Sequence, residues 1–204
     1  EVEATGAAYV PWTRAPHRAS EDFDSHFVRD WVAGPQAFER MRDNLAVGPA
    51  AAYAADVREE ITRRRPECVL TEGLLFGPQV AAEAAGIPCI VLGSTINMIP
   101  TPGVPPFGHG FPPAASEDDV ERDRIAAEIG SQAWNEALPA LNAARAEQGL
   151  EPLHHVLEQG RSAALVLILT SAAFDLPGTL PPTVKHVGPR LDDPLWTEEW
   201  TPPP

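Results

Sequence analysis

Residues 64–77 have the sequence RRPECVLTEGLLFG, and residues 87–93 have the sequence IPCIVLG. Each stretch holds a short apolar run of the kind that forms a buried strand, and the residues between them, 81–86, have a helical composition. A strand, a helix and a second strand in this order predict a parallel pair of strands, with Glu72 at the carboxyl end of the first. Ligands bind at that edge in open α/β sheets. We therefore expect an α/β fold that provides half of a cleft, with Glu72 placed in it.

The composition is that of a globular protein, and it argues against several classes of function. The chain has 204 residues, of which 44% are apolar. No apolar run approaches the roughly 20 residues that span a bilayer. With 15 basic and 29 acidic residues the net charge is −14, which disfavours a nucleic-acid partner. We expect the two cysteines to be buried in strands in a reducing compartment, and the protein to be cytoplasmic.

The other segments complete the predicted fold. Before the first of these strands they predict a short strand at residues 7–10, an exposed loop at 12–34 and a helical region at 37–65 that breaks near Gly48. After the second strand they predict a loop rich in Pro and Gly at residues 94–115 and a long helix at 117–148 that is capped by Ser116. A short helix at residues 154–159 and two strands, at 164–169 and 184–187, follow. Residues 1–190 are thus predicted to form one partial Rossmann-like domain, and the proline-rich residues 191–204 to form a linker between domains.

Several segments together resemble a known family. They are the strands around Glu72 and the stretches PGVPPFG, LPALNAAR, LTSAAFD and HVGPRLDD, at residues 102–108, 138–145, 169–175 and 186–193. The assembly is similar to the N-terminal, acceptor-binding domain of actinobacterial natural-product glycosyltransferases of the GT-B fold (family 1, macrolide and UDP-glucuronosyl/glucosyl transferase-like), and it covers essentially the whole chain. The resemblance implies a Rossmann-like parallel sheet with helices on both faces, lacking the first strand and helix. It also implies a piece of a longer protein.

The resemblance carries an expected activity. It implies transfer of a sugar, with inversion and without a metal or other cofactor, from a UDP- or dTDP-sugar to a hydroxyl of a small hydrophobic natural product, such as a macrolide or an aromatic polyketide. In the family a His removes the proton of the acceptor hydroxyl, and an acidic residue, commonly Asp, orients that His. Glu72 matches the acidic residue. Nothing in the chain matches the His or the donor-binding domain, so we expect the parent protein to be an enzyme and these residues alone to be inactive.

Candidate acceptor-binding residues lie close to Glu72 in the predicted fold. An apolar wall with a few polar groups suits a hydrophobic acceptor. The candidates are Leu75, Phe76, Ser94, Thr95, Asn97, Met98 and Phe107. Simpler roles stay open: an acid after a strand caps the next helix, apolar side chains fill the core, and hydroxyls cap turns. Asn97 is the most informative, because an amide in an apolar loop needs hydrogen-bond partners.

The histidines and tryptophans offer weaker candidates. His109 lies in the loop rich in Pro and Gly without an evident carboxylate to orient it, so we favour a plain loop residue over a base. His154 and His155 are adjacent in a short helix, where neighbouring side chains point apart and do not chelate a metal together. Trp196 and Trp200 form a predicted exposed pair that a second domain would cover.

Two other classes of function stay open at this point. One is a stand-alone module that binds a hydrophobic ligand, or assists a partner transferase, without catalysis. It differs from the transferase in whether the natural chain carries a His-bearing loop and a donor domain. The other is an unrelated doubly wound enzyme, which would need a phosphate-binding fingerprint. Neither G-x-x-x-x-G-K nor G-x-G-x-x-G occurs in the sequence.

Overall fold

The structure of the protein is a computed structural model that describes residues 2–17 and 35–189. Its centre is a four-stranded sheet in the order β1-β2-β3-β4, in which every neighbouring pair is parallel. The strands are β1 (Val69–Glu72), β2 (Cys89–Gly93), β3 (Leu165–Ile168) and β4 (Val184–His186). The predicted α/β fold with a parallel sheet is confirmed.

Helices connect and cover the strands. They are α1 (Pro35–Met41), α2 (Ala50–Arg64), α3 (Phe76–Ala85), α4 (Glu117–Asn135) and α5 (Leu138–Glu147). A π-helical turn, Arg42–Ala46, follows α1, and short 3-10 helices occupy Val2–Thr5, Val156–Ser162 and Ala172–Phe174. The predicted break near Gly48 is confirmed, since it falls between the π-helical turn and α2.

The sheet buries one face more deeply than the other. Val91, Val166 and Ile168 alternate with half-buried neighbours and form an apolar cluster with Ala82 of α3. This alternation is what the two-residue repeat of a strand requires when one face packs against a helix. Leu70, which points to the other face, is 58% exposed.

A second apolar cluster lies among the helices. It is built from residues of α2, α3 and α5 together with Val156. Gly77 allows α2 and α3 to meet closely, because a Cβ at that position would lie 2.4 Å from Cβ of Tyr53 and 2.5 Å from the carbonyl oxygen of Ala50. Trp134 of α4 packs against this cluster and makes an edge-to-face contact with Phe76. Contacts with α2 and α4 therefore hold the first turn of α3 in place.

Three sequence predictions need correction. Residues 7–10 form no strand; Tyr9 is 64% exposed and this stretch has no pairing partner among the described residues. The predicted long helix is two helices, because Pro139 at the start of α5 lacks an N–H and would clash inside a continuous helix. Cys68 is exposed and lies just before β1, whereas Cys89 is buried as expected. Burial raises the pKa of the Cys89 thiol to about 11.

Candidate functional site

The carboxyl ends of the four strands share one edge of the sheet, because all four are parallel. Glu72 ends β1 and is half-buried. Its Oε2 accepts a hydrogen bond of 2.6 Å from the backbone N–H of Leu74, and its Oε1 accepts one of 3.3 Å from the hydroxyl of Ser94. The carboxylate therefore joins the turn after β1 to the start of the loop after β2.

Glu72 does not cap α3 from the N-cap position, but it does bind the backbone of the turn just before this helix. The N-cap of α3 is Leu75, which makes no side-chain capping bond. Glu72 instead stabilises the turn before the helix through Leu74. One carboxylate oxygen is thus engaged by the backbone, while the other is held only by the exposed hydroxyl of Ser94.

Asn97 folds the first part of the 94–115 loop. Its side-chain N–H groups donate to the carbonyl oxygen of Ile99 and to the hydroxyl of Thr101, both at 3.1 Å, and its Oδ1 accepts from the N–H of Ile99 at 3.1 Å. Asn97 is only 8% exposed. The side-chain amide of Asn97 thus has the hydrogen-bond partners that we expected from its chemistry, and these partners all lie within the loop.

A buried carboxylate anchors this loop to the far side of the sheet. Oδ2 of Asp175 accepts from the backbone N–H of Asn97 at 3.0 Å and from Nε2 of His186, at the end of β4, at 2.7 Å. Oδ1 of Asp175 accepts from the N–H of Leu176 at 2.8 Å. The side chain of Asp175 is 4% exposed, so the loops after β2 and β3 and the end of β4 meet at one buried carboxylate.

The other end of the loop is held by α4. The guanidinium of Arg122 lies over the ring of Phe111, 4.5 Å from its centroid, and donates to the carbonyl oxygen of Pro112 at 3.2 Å. Arg122 is itself positioned by Asp119 and Asp123. Cation–π contact and ion pairing together hold the loop over the helix.

Two cavities lie under the loop. The large cavity, of about 480 Å³, runs between residues 97–109 and the face of α4 that holds Asp123, Ala127 and Gly130. The small cavity, of about 80 Å³, lies against the carboxyl ends of β1, β2 and β3 and the start of α3. Both share residues 97–100 and Leu157 in their walls. The volume of the large cavity suits a drug-sized, largely apolar ligand.

The predicted site residues divide into two groups. Asn97 and Met98 line both cavities, Phe76 lines the small cavity and Phe107 lines the large one. Glu72, Leu75, Ser94 and Thr95 lie at the same edge of the sheet but outside the walls of these two cavities. Their roles as catalytic and acceptor-binding residues stay predictions.

The histidines of the described residues play varied parts. His109 lines the large cavity, and its Nδ1 lies 3.2 Å from the carbonyl oxygen of Phe107. His155 caps the helix Val156–Ser162, and burial is the main cause that lowers its pKa. His186 lies in a strand that the sequence predicts, and its Nε2 is hydrogen-bonded to the carboxylate of Asp175. No signal in the sequence pairs His186 with Asp175, because the contact depends on how two loops fold.

Residues 2–17 and 35–189 contain neither a cluster of metal ligands nor a helix suited to span a membrane. No group of three or more His, Cys, Asp or Glu side chains there is placed to hold a metal ion. No helix in those ranges is both long and apolar enough to cross a bilayer. Residues 191–204, with Trp196 and Trp200, lie outside the described residues, so the linker stays a prediction.

Comparison with known proteins agrees with this architecture. No family model matches the chain. The sequence is 25% identical over 196 residues to 4'-demethylrebeccamycin synthase of Lentzea aerocolonigenes, an alignment that covers 92% of this chain and 46% of that protein. The fold is similar to the crystal structure of the glycotransferase of kitacinnamycin, with a TM-score of 0.59 at 18% identity, over 99% of this chain and 44% of that one.

These matches agree on the fold. The chain has the fold of one half of a GT-B glycosyltransferase, and its sequence is similar to that of 4'-demethylrebeccamycin synthase. It spans less than half the length of each of the two proteins it matches.

Proposed function

We propose that this chain forms the acceptor-binding part of an inverting glycosyltransferase, which moves a sugar from a nucleotide donor to a hydroxyl of a small hydrophobic natural product. The observation that carries the proposal is the large cavity of about 480 Å³ between the 94–115 loop and α4. Its wall is mainly apolar, and it shares residues 97–100 and Leu157 with the small cavity, which lies against the edge where an α/β sheet binds ligands.

The reaction assigns definite parts to the described residues. The acceptor lies in the large cavity, and its hydroxyl oxygen attacks the anomeric carbon of the donor sugar as the bond from that carbon to the nucleotide diphosphate breaks. A base takes the hydroxyl proton. Glu72 is the proposed partner that orients this base, since its Oε1 is the less engaged of its two oxygens. Asp175 and His186 keep the loop over the acceptor.

The base and the residues that hold the donor are not assigned to any described residue. His109 is a poor alternative base because its Nδ1 is directed to the backbone carbonyl of Phe107, and no carboxylate is hydrogen-bonded to it among residues 2–17 and 35–189. The donor, a UDP- or dTDP-sugar, would be bound mainly by a further domain, as the resemblance implies. The proposal thus concerns the whole protein, and the described residues supply its acceptor side.

The test is a transfer assay on the whole protein as its gene encodes it. The protein is incubated with UDP- and dTDP-hexoses and a panel of hydroxylated aromatic and macrolactone acceptors, and products are analysed by mass spectrometry. The proposal expects an acceptor whose mass rises by one sugar residue, with inverted anomeric configuration. Binding of the acceptors without any transfer would instead support a binding module that lacks catalysis.

A further inference from the structure

Gly178 lies in the loop between β3 and β4, where the chain leaves no room for a side chain. A Cβ added at this position would overlap with Cγ2 of Val104. The φ of Gly178 is not positive, so the local backbone conformation does not itself require a glycine. The close approach of Val104 is therefore what excludes a side chain at residue 178.

Val104 is part of the wall of the large cavity, whereas Gly178 lies outside that wall. The backbone N–H of Val104 donates to the carbonyl oxygen of Thr101 at 3.1 Å, which folds this part of the 94–115 loop into a turn. The side chain of Val104 thus meets Gly178 on one side and the cavity on another. Its position sets how wide the cavity is at this point.

The loop that carries Gly178 is held firmly on both sides. Asp175 is hydrogen-bonded to Asn97 and His186, and Leu180 packs against the apolar cluster of the sheet. Pro177, directly before Gly178, has a fixed φ. A side chain added at residue 178 would therefore displace Val104 rather than its own loop.

The displacement of Val104 would narrow the cavity. A valine side chain is stiff at χ1, so it does not simply swing aside within its own place. The open space next to Val104 is the large cavity of about 480 Å³. Atoms that now lie against Gly178 would therefore move into that space.

We propose that Gly178 is a positioning residue that sets the size of acceptor the large cavity takes. This proposal rests on the proposed function and concerns the substrate class of the same site. Because residue 178 has no side chain, Val104 lies back from the cavity and leaves it wide enough for a molecule of several fused rings. Gly178 acts through Val104 and does not itself line the site.

The experiment compares two fluorescent phenols of different size. They are β-naphthol, with two fused rings, and hydroxypyrene, with four, and their binding to the whole protein is measured by fluorescence titration. Overpacking predicts that Gly178→Ala weakens the binding of hydroxypyrene at least about fivefold. The smaller β-naphthol does not need the full width, so its affinity should change less than about twofold.

A rescue variant separates the size limit from a general loss of structure. With Val104→Ala added to Gly178→Ala, the nearest remaining atoms to the new Cβ are Cβ of residue 104 and Cγ2 of Thr101, each at 3.7 Å, which is ordinary contact. The affinity for hydroxypyrene should then return to within about twofold of that of the unaltered protein. A merely structural role of Gly178 would weaken both phenols alike and leave the ratio of their affinities unaltered.

The matched control is Thr179→Leu, which adds bulk to the same loop at an exposed position outside the walls of both cavities. It should change the affinity for either phenol by less than about twofold. The same loss of hydroxypyrene binding in Thr179→Leu as in Gly178→Ala would contradict a role specific to residue 178.

A second measurement keeps the test decisive if Gly178→Ala does not fold. In the unaltered protein, the methyl resonances of Val104 should shift on addition of hydroxypyrene, through its ring current, and more than on addition of β-naphthol. An unaltered ratio of affinities in Gly178→Ala, or no shift of the Val104 methyl resonances with hydroxypyrene, would overturn the proposal while leaving the acceptor site in place. Failure of both phenols to bind the unaltered protein would overturn the proposed acceptor site and this proposal with it.

Discussion

Asp175 and His186 are held together at the carboxyl edge of the sheet, where Nε2 of His186 donates to Oδ2 of Asp175 at 2.7 Å. The same oxygen accepts the backbone N–H of Asn97, which lies 78 residues away in the sequence. A residue in the loop after β3 and a residue at the end of β4 thereby fix the loop that forms one wall of the large cavity. The hydrogen bonds of Asp175 thus connect the carboxyl edge of the sheet to the loop that shapes the large cavity.

Replacing this carboxylate should loosen the loop. Asp175→Asn puts an amide where three N–H groups converge, so at least one of them loses a good acceptor. We expect a loss of about 1–3 kcal/mol in the free energy of unfolding, measured by urea titration. Asp118→Asn, at an exposed position of α4, is the control and should change the value by less than about 0.5 kcal/mol. Equal effects of the two variants would contradict the anchoring role.

Glu72→Gln tests the proposed catalytic partner. The amide can still accept the N–H of Leu74, so the turn should be retained, but the charge that stabilises a protonated base is lost. Turnover of the whole enzyme should fall at least about tenfold, and more if the base depends fully on its partner. KM for the acceptor should change little. Glu72→Asp should recover part of the rate, since it restores the charge.

The control for this prediction is Glu67→Gln, an exposed acid just before β1. It should leave turnover unchanged. If Glu72→Gln also leaves turnover unchanged, Glu72 serves only to hold the turn.

Gly77 should be intolerant of any side chain. A Cβ there meets Cβ of Tyr53, the carbonyl oxygen of Ala50 and the N–H of Ala54, all within 3.0 Å. Because these are backbone and Cβ atoms, α2 and α3 must move apart. Gly77→Ala is expected to cost about 1–3 kcal/mol or more. Gly130→Ala, within α4 and with nothing within 4 Å of its added Cβ, should be stabilising by about 0.5–1 kcal/mol.

Asp56 should make the stability depend on pH in acid. Burial, the largest single effect, favours a raised pKa, but hydrogen bonds from Thr13, Arg14 and Ala15 outweigh it and hold the pKa of Asp56 well below its ordinary value. A carboxyl with a lowered pKa in the folded state stabilises the protein above its unfolded pKa of about 3.9. That contribution is lost as the pH falls from there through the folded pKa.

Asp56→Asn should therefore lower the stability near neutral pH and flatten its dependence on pH in acid. Urea unfolding at about pH 7 and about pH 3 measures both effects. A variant that shows the same slope in acid as the unaltered protein would mean that Asp56 is not the source of the dependence.

The sequence predicts the architecture well where the pattern is local. Apolar runs bounded by Pro and Gly identify β1 and β2, and Ser116 is confirmed as the cap of α4, with its hydroxyl accepting from the N–H of Asp119. The break within residues 117–148 falls next to Pro139, which stands at the start of α5. Residues 7–10 have strand-like composition, yet a strand forms only with a neighbour to pair with.

The site is less predictable because its contacts are distant in the chain. The position of Glu72 follows from the strand it ends, and the need of Asn97 for partners follows from its chemistry. The hydrogen bond between Asp175 and His186 depends on the conformation of the loops at the edge of the sheet. The same is true of the buried Oε1 of Gln79, which has no hydrogen-bond partner among the described residues. Neither residue type nor spacing reveals such contacts.

The proposed site of the acceptor is the large cavity, and a comparison of two variants tests this placement directly. Ala127 and Ile129 are both exposed residues of α4, but Ala127 lines the large cavity and Ile129 lies outside its wall. We predict that Ala127→Trp fills the cavity and raises KM for the acceptor in the transfer assay at least about tenfold, while Ile129→Trp changes it less than about twofold. Equal KM values in the two variants would contradict the placement of the acceptor in this cavity.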